Sequence, residues 1–435
     1  MVARNPPEST CAVVIAGART PLCKAATALR SVHVIDLARA VMQETLYRAG
    51  WPSSRLQEVI LGNVVMPADA ANPARVSALR AGVPVEVPAL TVQRNCASGL
   101  EAVAQAAERI RTGQADAVLA AGAESMSTVP LLFPAHALEP MARLAKARTL
   151  GQKARACAML RPQHFRPESG LLKGLTDPVC GMIMGKTAEV LAHEFNISRG
   201  EQDQFALRSH QKAIQAAQEG RFDDQLVPVY AGQGFEPVTA DNGPRANQSI
   251  EALARLKPLF DRRDGTVTVG NSCQITDGAA AMLLCSADVA RAEGLEALGR
   301  IRAYATAGLD PARMGLGPVF AIDKLLQQTG VSLDDVGLVE INEAFAAQVL
   351  ACLKALASER LCRQLLGRSR ALGELDPERL NVNGGAIALG HPVGATGARI
   401  VLTLLMEMRR RDVGLGIAAL CVGGGQGAAM LVERS

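Results

Sequence analysis

Two kinds of apolar pattern alternate along the chain. Predominantly apolar runs at 11–16, 59–65, 89–92 and 117–122 predict short, largely buried strands. Between them, apolar residues return every third or fourth position over 34–48 and 74–81, and an alanine-rich stretch runs up to Arg111. These predict amphipathic helices. Gly50, Gly82 and Gly113 stand just past their ends, where a helix commonly closes on a left-handed residue. Strands alternating with helices imply a layered α/β architecture.

The rhythm breaks near residue 130. From there to about 263 the chain is richer in charge and proline, with helical pieces expected at 187–194, 199–219 and 250–256. This stretch reads as a large insertion lying over the first α/β unit; from Gly265 the alternation resumes and persists to Glu433. Residues 91–96 lead into one helix much as 380–385 lead into another at 395–408, and an apolar strand follows each, at 117–122 and 416–421. The parallel points to a duplicated core.

Composition then narrows the field. A chain of 435 residues, 49% apolar and 20% charged, can fill one large core or two fused ones. With 3% aromatic residues and a net charge of +4, it offers neither stacking platforms nor the charge expected of a nucleic-acid binder. Its ten cysteines show no C-x-x-C pair and no regular spacing, which argues against a disulfide framework or a zinc ribbon and for a reducing, cytoplasmic setting. Residues 1–10 lack a basic segment followed by an apolar one, so no leader is expected. No uncharged apolar run reaches the roughly 18 residues of a membrane span.

Four segments carry chemistry. Cys96, in Asn95-Cys96-Ala97-Ser98-Gly99, sits where a predicted strand turns into a helix. A helix N-terminus lowers a thiol's pKa, and the small neighbours leave room for a substrate; an inert buried cysteine is the plainer reading. His391 is the one histidine in a glycine-dense turn, Gly390-His391-Pro392-Val393-Gly394. It is suited to general-base work, with a phosphate-binding loop as the alternative. Cys421 precedes Gly423-Gly424-Gly425 at a strand end, an arrangement that allows an exposed thiol and free backbone N–H groups for an oxyanion, or merely a tight hairpin. Asn342-Glu343-Ala344-Phe345-Ala346 follows a strand and, taken alone, reads as a helix N-cap with a first-turn acid.

Together, in this order and spread across the chain, these four segments resemble the active-site signatures of the thiolase family. Further matches are Ala123-Glu124-Ser125-Met126-Ser127, Met184-Gly185, Asp277-Gly278-Ala279-Ala280 and Met314-Gly315-Leu316-Gly317-Pro318. The resemblance implies a duplicated fold of two βαβαβαββ halves in five α-β-α-β-α layers, divided as 1–285, with a loop domain inserted at about 130–263, and 286–435. It implies an acyltransferase of fatty-acid β-oxidation that cleaves 3-ketoacyl-CoA to acetyl-CoA and a shortened acyl-CoA, or runs the reverse condensation, through an acyl group on Cys96. Cys421 would move the proton on carbon, His391 would activate Cys96, and Asn342 would hold a water in one oxyanion hole. The backbone N–H groups of Cys96 and Gly423 would form the other. CoA is a substrate, and no metal or cofactor is implied. Arg245, Cys273, Met184 and Met314 are candidate CoA or acyl contacts, although family members usually carry Ser where Cys273 stands. A homodimer or homotetramer is expected.

The long middle segment is similar to that of thiolases related to the β-subunit of the trifunctional fatty-oxidation complex, though those carry His where Asn342 stands. Residues 142–166 hold Arg143, Lys146, Arg148, Lys153, Arg155, Arg161 and Arg166 without an acid. The stretch is a solvated face or a site for an anionic partner: CoA phosphates, a membrane surface or a partner β-oxidation subunit. Two other functions fit this sequence less well. A condensing enzyme of the ketoacyl synthase type would not need Cys421, and a non-catalytic lipid-binding relative would have lost one of the four signatures.

Overall fold

The computed structural model describes residues 11–232 and 234–434; the leader reading, made on residues 1–10, lies outside them. The first half is built from strands β1 (Ala12–Arg19), β2 (Glu58–Gly62), β3 (Ala89–Val92) and β4 (Ala117–Glu124) with helices α1 (Val34–Ala49), α2 (Pro73–Arg80) and α3 (Ser98–Arg111). The insertion follows, with helices α4 (Leu138–Lys146), α5 (Leu150–Met159), α6 (Met184–Glu194) and α7 (Arg199–Gln218). Strand β5 (Thr276–Ser286) returns to the first sheet. The second half holds strands β6 (Gly299–Gly308), β7 (Leu338–Ile341), β8 (Leu415–Val422) and β9 (Gln426–Glu433) with helices α8 (Gly317–Thr329), α9 (Ala346–Ala357) and α10 (Val393–Arg411).

Strand pairing displays the duplication. In the first half β2 lies parallel to both β3 and β4, and β4, β5 and β1 pair antiparallel in turn. In the second, β7 lies parallel to β8, and β8, β9 and β6 pair antiparallel in turn, while a parallel bridge from Val339 to Leu380 takes the place of β3. The halves join where Val13 and Val14 of β1 pair antiparallel with Arg300 and Gly299 at the start of β6.

Successive side chains of a strand face opposite ways, and here both faces are covered. In β5, Ala279, Ala281 and Leu283 pack with α1, whereas Ala280, Met282 and Leu284 pack with α3 and α10. In β8, Ala418 and Leu420 face α3 and α10, and Ile417 and Ala419 face α8 and α9. This gives α, β, α, β, α layers and explains why the strands are continuously apolar rather than alternating. Burying each Leu, Val or Met side chain contributes about 1.5–3 kcal/mol before entropy is counted.

The central layer is unusually close. A Cβ on Gly397 of α10 would lie 2.1 Å from the Leu100 nitrogen of α3, and one on Gly99 would lie 2.7 Å from the Ala398 nitrogen. Only glycine allows backbones this near. The insertion is fastened by a buried fork: Arg19 of β1 donates to both carboxylate oxygens of Asp241 at 2.7 and 2.8 Å and to Gln225 Oε1 at 2.9 Å. One strand is shorter than its apolar run. β2 ends at Gly62, because Val64 and Val65 donate their N–H groups to Glu124 instead of continuing the ladder. No helix among the described residues is long and apolar enough to cross a membrane.

Candidate active site

Cys96 stands on a turn between β3 and α3. Asn95 is left-handed, with φ 42°. Ser98 Oγ fixes the turn, accepting from Arg94 N–H at 2.9 Å and donating to the Asn95 carbonyl at 2.7 Å. The thiol thus precedes the first turn of α3. Cys96 is half-buried, and desolvation by the surrounding protein raises its pKa; the backbone N–H groups of Gly423 and of Cys96 itself pull the other way without overcoming it. The expectation that the helix end would lower this thiol is therefore corrected: desolvation of the thiolate, with the nearby Glu124, outweighs the two backbone N–H groups. At rest the sulfur keeps its proton.

The Gly423 N–H arrives from the second half. Gly423–Gly425 close the hairpin between β8 and β9, with Gly424 and Gly425 at φ 89° and 76°. Asn95 Nδ2 donates to the Gly423 carbonyl at 2.8 Å, tying this hairpin to the Cys96 turn. Cys421 ends two residues earlier, and it is only 1% exposed. The exposed thiol read from its glycines is thus wrong: Met314, Phe345 and Ala347 cover it, with Met184 packed at the edge. Burial first, then neighbouring Cys96, Cys352 and Cys273, drive its pKa well up. It too is a proton carrier at rest.

His391 is held through its backbone, which donates to the Gln274 carbonyl at 3.1 Å and to Thr276 Oγ1 at 3.2 Å. Its Nδ1 lies 2.7 Å from Thr396 Oγ1, while Nε2 is buried with no partner among the described residues. Burial, and secondarily Arg399, lowers its pKa to about 3. The ring is neutral across the physiological range. A phosphate loop does not fit this turn. The Gly394 N–H, which would face an anion, already donates to the buried Glu124 carboxylate at 2.9 Å, and the Ala395 and Thr396 N–H groups turn back to the Pro392 carbonyl.

Asn342 and Glu343 do not cap a helix, since α9 starts at Ala346 with Phe345 at its N-cap. Both side-chain polar atoms of Asn342 are buried without a partner among the described residues, which suits an amide that receives a small polar guest. Glu343 is a structural hub instead. It accepts from Ser209 Oγ of α7 at 2.6 Å, Asn381 Nδ2 at 2.9 Å and the Ile387 N–H at 3.2 Å. Insertion, Asn342 segment and histidine loop thereby share one carboxyl. Residues 272–276 close the ring, with the Cys273 N–H on the Ala344 carbonyl at 3.0 Å and Ile275 bridged to His391. Cys273, whose thiol burial lifts to about 12, senses Cys96 electrostatically.

Arg245 stands apart. It is exposed, its N–H donates to His210 Nδ1 at 3.2 Å, and it borders a hollow of about 200 Å³ beside α7. The hubs Glu124 and Glu343 and the Thr396 hydroxyl escaped the sequence reading. They lie inside or beside the matched motifs, but nothing in one sequence says which partners they meet.

Comparison with known proteins bears out the family and the fold. Residues 12–288 match the family model for the N-terminal domain of thiolase, and 295–434 match that for its C-terminal domain. A 3-ketoacyl-CoA thiolase of Yersinia enterocolitica is 40% identical over 421 residues, spanning 97% of this chain and 96% of that one. The Bacillus anthracis acetyl-CoA acetyltransferase structure superposes with a TM-score of 0.86 at 39% identity, covering 100% of both chains. Human mitochondrial 3-ketoacyl-CoA thiolase in complex with CoA does so at 0.84 and 34%, again covering 100% of both. With two family models covering nearly the whole chain and a full-length relative at 40% identity, this chain belongs to the thiolase family of acyltransferases.

Proposed function

We propose that the chain cleaves 3-ketoacyl-CoA with Cys96 as acyl carrier and Cys421 as the acid and base at carbon. The observation that carries this is the Gly423 N–H acting on Cys96 from the hairpin that also bears Cys421. His391 Nε2 takes the Cys96 proton as sulfur attacks the 3-keto carbon. The protonated nitrogen then donates to the developing alkoxide, beside a water held by Asn342. When the C2–C3 bond breaks, its electron pair passes to C2 of the acetyl-CoA fragment, and Cys421 gives C2 its proton. CoA thiol next yields its proton to the Cys421 thiolate and attacks the acyl thioester, whose oxyanion faces the N–H groups of Cys96 and Gly423. Cys96 leaves and recovers its proton from His391. Each group ends as it began, with no metal or cofactor in the sequence of steps.

The test separates the two thiols. Acetyl-CoA should leave an acetyl mass adduct on the Cys96 peptide, and Cys96→Ala should lose both adduct and turnover. Cys421→Ala should still acylate and exchange acyl groups between CoA molecules, because that half-reaction makes no carbanion. It should lose cleavage of acetoacetyl-CoA and exchange of the α-hydrogens into deuterated water. An adduct on Cys421, or cleavage by Cys421→Ala at the parent rate, sinks the assignment.

Three partner readings go with it. The region around Arg245 contacts CoA, as the family resemblance implies. Two copies associate, for which β3, paired only to β2 among the described residues, leaves an open edge. The third partner is an anionic membrane surface in the cytoplasm, met by residues 142–166. Their seven cations are all exposed and lie among Leu138, Leu150 and Phe165, which are 74%, 86% and 54% exposed; such a mixture suits lipid headgroups better than water alone.

A further inference from the structure

A base needs its lone pair on the right nitrogen, and an imidazole has two to choose from. His391 Nδ1 lies 2.7 Å from Thr396 Oγ1, and that same oxygen lies 2.9 Å from the Pro392 carbonyl. A carbonyl can only accept, and a hydroxyl has one proton. With that proton on Pro392, the Thr396 oxygen meets His391 as an acceptor, so Nδ1 carries the ring hydrogen. Nε2 is then the bare nitrogen, and it is the one that is buried with no partner among the described residues. Thr396 belongs to the first turn of α10, is fully buried, and has its own N–H on the Pro392 carbonyl at 3.0 Å, so its hydroxyl is not free to wander.

We infer that Thr396 is a positioning residue that sets His391 in the Nδ1–H tautomer and aims the Nε2 lone pair at the nucleophile. The inference rests on His391 serving as the base of the proposed thiolase cycle. The same hydrogen bond steadies the imidazolium once Nε2 has taken a proton, because Nδ1–H donates in both states. Thr396 thus serves the histidine before and after proton transfer without touching substrate.

The variants are Thr396→Val, which keeps the shape, and Thr396→Ser, which keeps the hydroxyl. Thr396→Val should lose tenfold or more in kcat for acetoacetyl-CoA cleavage with KM little changed. Its Cys96 should be alkylated by iodoacetamide more slowly near neutral pH, with the rate rising only at higher pH. Thr396→Ser should restore both. Parent kcat and alkylation in folded Thr396→Val, or no rescue by Ser, overturns the inference. A second measurement needs no change at Thr396 and no turnover. In 15N-histidine-labelled Cys96→Ala protein, where no thiolate can charge the ring, the His391 resonances (identified by their loss in a Cys96→Ala/His391→Asn protein) should show Nδ1 protonated. An Nε2–H pattern refutes the tautomer even if Thr396→Val fails to fold. If the parent enzyme does not cleave acetoacetyl-CoA, the functional reading fails while the tautomer result stands on its own.

Discussion

Burial leaves Cys96, Cys421 and His391 uncharged together, and that choice shapes the chemistry. In the proposed cycle a thiolate formed early would be stabilised before the substrate arrived, whereas a neutral pair would spend its proton transfer at the moment of attack. His391→Asn should therefore slow alkylation of Cys96 by about 10²-fold, the lower range for losing a general base, while acyl-CoA binding persists; unchanged alkylation with intact activity removes His391 from the mechanism. Because burial lowers this histidine from 6.5 to about 3, its neutral form persists as pH falls through 6, and kcat/KM should show no bend near 6.5. Cys96, Cys421 and His391 stood out in the sequence because few residue types can do the proposed work beside glycine. Their electrostatic state was not legible, since desolvation depends on Met314, Phe345 and other side chains far away in sequence.

Elements were legible where burial is two-sided and obscure where a side chain interrupts the backbone pattern. The continuous apolar runs of β4, β5 and β8 follow from covers on both faces, but the run at 59–65 overshot β2 because Glu124 captures two N–H groups that a ladder would use. The cap reading of Asn342 failed likewise, for Glu343 is committed to Ser209, Asn381 and Ile387. A further carboxylate anchors the far end of α10. Burial would raise Glu407, but hydrogen bonds from Arg410, Arg411 and Asn383 more than offset this and bring it to about 2. Such a lowered acid stabilises the fold fully above about 4.5, and that contribution is lost as pH falls toward 2. Glu407→Gln should cost about 1–2 kcal/mol at pH 7, since the two arginines are partly solvated. In urea melts its deficit should shrink between pH 4.5 and 3; a deficit independent of pH would mean the carboxylate's charge does not matter.

At the scale of the molecule, the insertion is where sequence said least, because its short pieces owe their place to tertiary anchors such as Arg19 with Asp241. Its outer surface can be tested directly. Sedimentation with phosphatidylglycerol vesicles should capture the protein at low salt and release it at high salt. Replacing Arg143, Lys146, Arg148 and Lys153 with Gln should weaken capture at least tenfold without changing turnover. Equal capture of parent and variant rejects these cations as the contact, and loss of a co-purifying protein instead would replace the lipid by a protein partner. The close packing of α3 on α10 also has a bearing on how the chain is made. Cys96 and the glycine-faced side of α3 emerge from the ribosome early, whereas Gly397, Cys421 and the hairpin at Gly423 follow roughly 300 residues later. At about 5–20 residues per second, the first half waits some fifteen seconds to a minute for its other face. Throughout that interval Leu100, Val103 and Ala107 lack the helix that will cover them, and the Cys96 thiol lacks its proposed base. Under the proposed cycle, competence therefore arrives all at once, near the end of translation, and a message truncated before codon 391 would yield a chain with a nucleophile and nothing to switch it on.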